Sequence, residues 1–213
     1  MKRLFDIVLL IVSFPFWGSV ILVCYILNIL FEGLPGFYSS IRHVGNGKNI
    51  TVYKFRVMKK DIDKKLNRNT ITPIDTLFLN LPTNRNIYTK FGSILERFGI
   101  TELPQFFSVI IGDMSIVGAR PLPNDVYNGL KEEFPNIAEK RYYSKCGLTG
   151  LPQLVGRDFI SDEERLNLEA TYCVWAQTNY SFIVDLKIIL YTILIVLGFK
   201  KRASIDEVLN LIK

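Results

Sequence analysis

Glu102 is the carboxylate whose surroundings best support chemistry. It follows Thr101, which the pattern places as the N-cap of an amphipathic helix that Gly112 would stop, so Glu102 falls in that helix's first turn. Unpaired N–H groups and the positive end of the helix dipole stabilise anions there, and the position suits a carboxylate, a phosphate or a metal-bridged pair of both. Ordinary capping accounts for the same residues, and Asp113, ahead of Met114 and Ser115, reads equally well as a turn former. Basic residues recur beside glycine-rich turns: Arg120 in VGARP, Arg141 and Lys145 ahead of GLTG, and Arg157 in QLVGRD. Guanidinium forks on several loops suggest a diphosphate clamp, because each can hold two phosphate oxygens. For any one of them alone, solvated surface charge is the simpler explanation.

Other chemistries are poorly supplied. The single histidine, His43, leaves no material for a His-rich metal site and little for a Ser/His/Asp triad, and it reads as a surface or loop residue. Cys24, Cys146 and Cys173 cannot all pair within the chain and stand in no zinc-ligand spacing, which points to reduced thiols in a cytosolic setting. A net charge of +6 suits phosphate-bearing partners or an anionic membrane face and does not single out nucleic acid. At 213 residues the chain has room for one compact domain with an appended segment.

The appended segment is apolar. Residues 4–31 read LFDIVLLIVSFPFWGSVILVCYILNILF, ~42 Å if helical, against a hydrocarbon core of about 30 Å. It is too long for the core of a signal peptide, and no small-x-small cleavage site follows it. Lys2 and Arg3 precede it, while Arg42, Lys48, Lys54, Arg56, Lys59 and Lys60 follow, so the positive-inside rule favours both ends cytoplasmic. Pro15 removes a helical N–H and Ser13 can hydrogen-bond the freed backbone, a recipe for a kink near Gly18. A re-entrant helix and a straight or mildly bent span both remain open on these residues. A second apolar stretch, about 182–199, carries Asp185 and Lys187 near its start and meets Lys200, Lys201 and Arg202, the pattern of an amphipathic helix lying in the interface.

Between these stretches, Gly45-Asn46-Gly47 separates SSIRHV from NITVYKFRV and predicts a β-hairpin. Residues 59–86 read as a loop-rich insertion with one short helix at most. The expected architecture is helix-rich α+β: a membrane segment over residues 1–36 and a cytosolic or interfacial catalytic domain over 37–213.

KRLFDIVLL, PGFY, KFRVM, TELPQFFSVIIGDMSIVGARP, GLTGLPQLVGR and NYSFIVDLKIIL occur in order along nearly the whole chain. Together they resemble the small monotopic phosphoglycosyl transferases, the bacterial initiating sugar transferases. The resemblance implies transfer of a sugar 1-phosphate from a UDP-sugar to a polyprenyl phosphate, normally undecaprenyl phosphate, with release of UMP, as the first membrane step of surface polysaccharide or glycoconjugate synthesis. It also implies a re-entrant first helix broken near Ser13 and Pro15, the cytosolic face of the bacterial inner membrane, and Mg2+ bound through Glu102. The substrate-binding set it implies is Arg56, Arg97, Arg120, Pro121, Lys145, Gln153 and Arg157. Downstream glycosyltransferases would take the product; nucleic acid is no partner, and a homodimer is compatible with the pattern.

Where the family carries Asp-Glu before LPQ, with the aspartate as nucleophile, this chain has Thr101-Glu102. A threonine hydroxyl is protonated at neutral pH and needs a base before it can attack phosphorus. Four routes follow: attack by Glu102, attack by an activated Thr101, direct attack by the lipid phosphate in a ternary complex, or loss of catalysis. Direct attack is favoured, because an ionised lipid phosphate is itself a nucleophile. The rivals are a catalytically impaired membrane scaffold that binds lipid phosphate or nucleotide sugar, and a peripheral lipid-binding module.

Overall fold

The computed structural model describes residues 1–60, 87–156 and 159–212. The insertion expected over 59–86 therefore lies almost wholly outside the described residues, as does Arg157. In chain order the helices are α1 (Lys2–Glu32), α2 (Lys90–Arg97), α3 (Phe106–Ile111), α4 (Asn124–Glu133), α5 (Pro135–Ala138), α6 (Leu151–Val155), α7 (Asp162–Thr178), α8 (Phe182–Val196) and α9 (Ile205–Leu209). The strands are β1 (Phe37–His43), β2 (Asn49–Phe55), β3 (Ser115–Val117) and β4 (Gly147–Thr149).

Strands β1 and β2 form the expected antiparallel hairpin, with Arg42 opposite Ile50 and Tyr38 opposite Lys54. Gly45, Asn46 and Gly47 all have positive φ, the left-handed conformation that a tight connection demands. Strands β3 and β4 pair in parallel, Ser115 with Gly147 and Val117 with Thr149, an arrangement the three-residue runs gave no sign of. Glycine makes it possible at one point: a Cβ on Gly147 would overlap the backbone of Val117 and Gly118, and one on Gly118 would overlap that of Lys145. That close approach brings the segment leading to Arg120 against β4.

Helix α1 is long and apolar enough to cross a membrane by length and composition. It runs through Pro15, whose missing N–H leaves the Ile11 carbonyl without its usual donor. Around this point side chains enter the helical ladder: Ser13 Oγ donates to Leu9 O at 2.6 Å, Trp17 Nε1 to Leu10 O at 2.9 Å and Ser19 Oγ to Pro15 O at 2.6 Å.

The buried face of α1 mixes Leu10, Trp17 and Ile21 with polar groups, while its exposed faces are apolar. Asp6 and Asn28 point inward and are buried, whereas Leu4, Ile11, Val12, Phe16, Leu22 and Leu30 are exposed. Exposed apolar side chains continue over α3 (Phe107, Ile111) and α8 (Phe182, Leu190, Leu194). An apolar surface of this extent fits an interaction surface far better than contact with water.

Both ends of α1 are fastened to one body. Lys2 Nζ lies 2.6 Å from Asp185 Oδ2 on α8, and Tyr172 OH on α7 donates to the other oxygen at 2.5 Å. Arg3 donates to Val109 O and Ile110 O, capping α3. Asp6 accepts from Ser115 Oγ at 2.8 Å and from Ile116 N at 3.2 Å. At the far end Asn28 Nδ2 donates to Gly36 O at 2.9 Å and to Arg56 O at 3.1 Å. Between them Trp17 packs edge-on against Phe106 and Phe107, beside Phe55 and Leu95.

The larger core gathers Val52, Val109, Met114, Val117, Leu151, Leu154 and Ile188 around β3 and α6. Helix α8 ends at Val196, with Leu197 as its cap and Gly198 at φ +78°, a few residues short of the expected limit. His43 differs from its reading as a surface residue. It is buried at the end of β1, stacked on Tyr127 at 4.2 Å, because the hairpin folds against α4. All three cysteines are free, as expected.

Asp185 is fully buried and carries charge for two partners. Removing one member of such a pair leaves an uncompensated buried charge. Asp185→Ala is expected to cost about 3–5 kcal/mol, read from the denaturation midpoint in detergent. A loss below ~1 kcal/mol would mean that the Lys2 attachment contributes little.

Candidate active site

Thr101 and Glu102 do not open an α-helix. Ile100–Gln105 is a 3-10 helix that begins after Gly99 in the left-handed conformation. Pro104 explains this: an α-helix would need its N–H to bond the Ile100 carbonyl, and proline has none. Thr101 therefore lies inside this helix and does not serve as an N-cap; it is buried, with 2% of its surface exposed. Glu102 keeps its place in the first turn.

With three residues per turn, side chains at i and i+3 eclipse. Glu102 and Gln105 thus share one face of the 3-10 helix, and Thr101 and Pro104 share another. The tightened winding separates the two members of the Thr-Glu pair, with the carboxylate on the face that meets the hairpin.

Glu102 is clamped there by two cations. Arg120 makes a bidentate pair with it, Nη1 to Oε2 at 2.7 Å and Nη2 to Oε1, and Lys54 Nζ reaches Oε1 at 2.6 Å. All three side chains are about a fifth exposed. The two cations border a small cleft of about 200 Å³, counting the space open to solvent, lined by Arg42, Val52, Lys54, Gln105, Arg120 and Pro121.

Burial shifts the protonation of these groups. It pulls the Lys54 ammonium below its usual range, against the opposing pull of Glu102. Arg42 is likewise lowered, first by burial and then by the Arg120 charge. For Arg120 burial acts in the same direction, but the Glu102 carboxylate outweighs it and leaves the guanidinium more basic than usual. The cleft therefore has a surplus of positive charge with little water to screen it, the condition under which a phosphate oxyanion binds.

Arg120 is held from behind. Its N–H approaches Glu169 Oε1 at 3.4 Å, and its carbonyl accepts from Arg141 Nη2 at 2.7 Å. Arg141 and Glu169 form a buried ion pair, Nε to Oε2 at 2.8 Å and Nη2 to Oε2 at 2.5 Å, and Arg141 also donates to Tyr142 OH at 2.8 Å. Arg141, one of the basic residues beside a glycine turn, is 0% exposed and serves as this support.

The other residues singled out in the sequence lie elsewhere. Arg56 Nη2 donates to the carbonyls of Glu32 and Gly33, closing the end of α1. Lys145 Nζ donates to Gly112 O at 2.6 Å, and exposed Arg97 lies over the Phe98 ring. Gln153 stands on α6 with both amide atoms buried and no partner among the described residues. Asp113 pairs with Lys48 at an exposed position, in keeping with a turn.

Three cleft residues, Arg42, Lys54 and Gln105, were not among the sequence candidates. The first two could have been found from strand parity. Positions 42, 52 and 54 fall on one face once the Gly45-Asn46-Gly47 turn fixes the register. Gln105 needed the 3-10 period, which the sequence does not announce.

The family model described as bacterial sugar transferase matches residues 1–199. The chain is 36% identical over 196 residues to an uncharacterized sugar transferase, EpsL, of Bacillus subtilis, covering 91% of this chain and 85% of that protein. It is 33% identical over 167 residues to a UDP-glucose:undecaprenyl-phosphate glucose-1-phosphate transferase of Xanthomonas campestris, covering 78% of this chain and 32% of the relative. To an undecaprenyl-phosphate galactose phosphotransferase of Salmonella typhimurium it is 30% identical over 212 residues, 92% of this chain and 40% of the relative. The chain thus spans most of the first relative and less than half of the other two.

Burial raises the thiols of Cys146 to about 12 and Cys173 to about 11, so neither is a thiolate near neutrality. Native protein exposed to a maleimide at pH 8 should leave both unmodified until denaturant is added, as read by intact and peptide mass. Labelling of either in the native state would contradict the packing around Arg141.

Proposed function

The chain belongs to the bacterial sugar transferase family, and from that premise we propose that it transfers a sugar 1-phosphate from a UDP-sugar to undecaprenyl phosphate and releases UMP. It is a phosphoglycosyl transferase; the nucleotide, the acceptor and the released product are our reading. The observation that carries it is the Arg120–Glu102–Lys54 clamp beside Arg42, in a body whose other surface is apolar.

Phosphoryl transfer asks little covalent chemistry of a protein and much positioning and charge compensation. Arg42, Lys54 and Arg120 would grip the donor's diphosphate. The bidentate Arg120 fork is oriented for the task by the contacts to its own backbone. Thr101 is buried, its hydroxyl is protonated at neutral pH, and among the described residues no carboxylate is hydrogen-bonded to it. We therefore favour in-line attack by the lipid phosphate oxygen on the phosphorus next to the sugar. The P–O bond to UMP breaks and UMP leaves as its anion.

The family resemblance implies magnesium. Among the described residues no three metal-binding side chains cluster, so an all-protein cage is absent, but a single carboxylate fits a hard cation that arrives with a diphosphate and keeps its waters. Glu102, whose oxygens are both engaged by Arg120 and Lys54 in this structure, would hold it once a bound diphosphate drew those cations away, and the ion would neutralise charge on the diphosphate oxygens.

For the membrane we propose a re-entrant α1 on the cytosolic face of the inner membrane. Support comes from the anchoring of Lys2, Arg3, Asp6 and Asn28 to the same body. A straight span would separate Lys2 from Asn28 by ~39 Å, more than the hydrocarbon core, and would leave one set without its partners.

Protein in nanodiscs given Mg2+, undecaprenyl phosphate and a panel of UDP-sugars should release UMP. Silence across the panel would favour the scaffold reading that Thr101 invites. Glu102→Gln is expected to lower turnover about 100-fold; full activity would remove Glu102 from the site. Intact mass after UDP-sugar alone should stay unchanged, since a sugar-phosphate adduct would contradict direct attack.

The pH profile follows from Lys54. Its free-enzyme pKa is lowered, so it loses its charge before an ordinary lysine does, and kcat/KM should fall with rising pH below 10.5. Lys54→Arg should move that limb upward. An unshifted limb would exclude Lys54 as the titrating group.

A further inference from the structure

Gln105 is 3% exposed and lines the cleft, and its Nε2 has no hydrogen-bond partner among the described residues. A buried amide donor left unpaired is costly, and native structures rarely keep one without a use. The surroundings define what it lacks. Arg42, Lys54 and Arg120 have only N–H donors, and Val52 and Pro121 offer no polar side-chain atom. The nearby carboxylate, Glu102, already receives Arg120 on both oxygens and Lys54 on one. The missing partner is therefore an acceptor that comes from outside the described residues, as a bound substrate would. Three cations require that it be charged.

The 3-10 winding fixes the direction. Residues 102 and 105 eclipse, so the amide stands one turn beyond Glu102, on the face turned to the hairpin. We propose that Gln105 is a substrate-binding residue whose Nε2–H donates to a phosphoryl oxygen held among Arg42, Lys54 and Arg120. The amide is a directional donor without charge, so it can orient an oxyanion without adding to the mutual repulsion of three cations. The inference rests on the sugar-phosphate reading and extends it to a residue outside the clamp. The oxygen belongs either to the nucleotide diphosphate or to the lipid phosphate, which share the same chemistry.

Gln105→Met keeps the approximate volume and removes the donor; Gln105→Glu keeps the shape and replaces the donor with an acceptor. Three quantities are to be compared with the wild type in nanodiscs: the melting temperature, the calorimetric Kd for UDP with Mg2+, and the KM for undecaprenyl phosphate in UMP release. The Met variant should melt at or above the wild-type temperature, because it loses an unpaired buried group. Its UDP affinity or its lipid KM should worsen about tenfold, with the Glu variant worse still. A change in UDP binding assigns the oxygen to the donor, and a change in lipid KM assigns it to the acceptor. Both constants within twofold of wild type would overturn the proposal. So would a fall of more than about 5 °C in both variants, which would make the amide a structural group. A wild type that releases no UMP at all would instead sink the sugar-phosphate reading itself.

Discussion

A carboxylate shared by an arginine and a lysine in a site about four-fifths shielded from water holds its geometry only if its cations are themselves held. Charges in such a setting attract strongly, but desolvation offsets much of the gain, and a loosely held partner would turn the pair into a liability. The protein meets this condition from two sides. Lys54 comes from a hairpin strand whose neighbours Val52 and Phe55 are anchored in two apolar clusters. Arg120 comes from a segment whose N–H and carbonyl are both engaged by the buried Arg141–Glu169 pair. The clamp is thus the meeting point of the hairpin, the 3-10 helix and the β3–β4 pair.

The same body manages a second conflict, an apolar outside with charged attachments inside. Helix α1 buries Asp6 and Asn28 and exposes Leu4, Ile11, Val12 and Phe16. In water this would be a poor arrangement; beside hydrocarbon it places each group where its transfer free energy is favourable. Ion pairs and backbone hydrogen bonds at both ends of α1 make the helix part of the domain and not a tether to it. A cationic cleft on such a body suits a phosphate that arrives on a lipid chain.

Thr101 changes the charge balance of the site. An aspartate at 101 would add a second carboxylate to the 3-10 helix; with threonine there is one. Because the 3-10 helix turns residue 101 toward the face of Pro104, the hydroxyl is packed away while Glu102 stays paired with Arg120 and Lys54. The charge that remains, one carboxylate among three cations, accords with the direct attack by lipid phosphate proposed above.

Much of the fold was legible along the chain, wherever a local rule decides. Gly45-Asn46-Gly47 specified the hairpin because it supplies consecutive positive φ angles, and unbroken apolar runs specified α1 and α8 because length and hydropathy are one-dimensional properties. Glu102 and Arg120 were legible as chemistry, from residue types beside turns. Their direct contact was not, nor was the presence of Lys54 and Arg42 beside them, since these residues are brought together from positions 42 to 120. Arg56 and Arg141 carried the same charge in the sequence as Arg120, yet one closes a helix end and the other is buried as a support. Charge and periodicity are written residue by residue. Which guanidinium faces a cleft depends on the packing of distant segments against one another, and only the tertiary structure decides that.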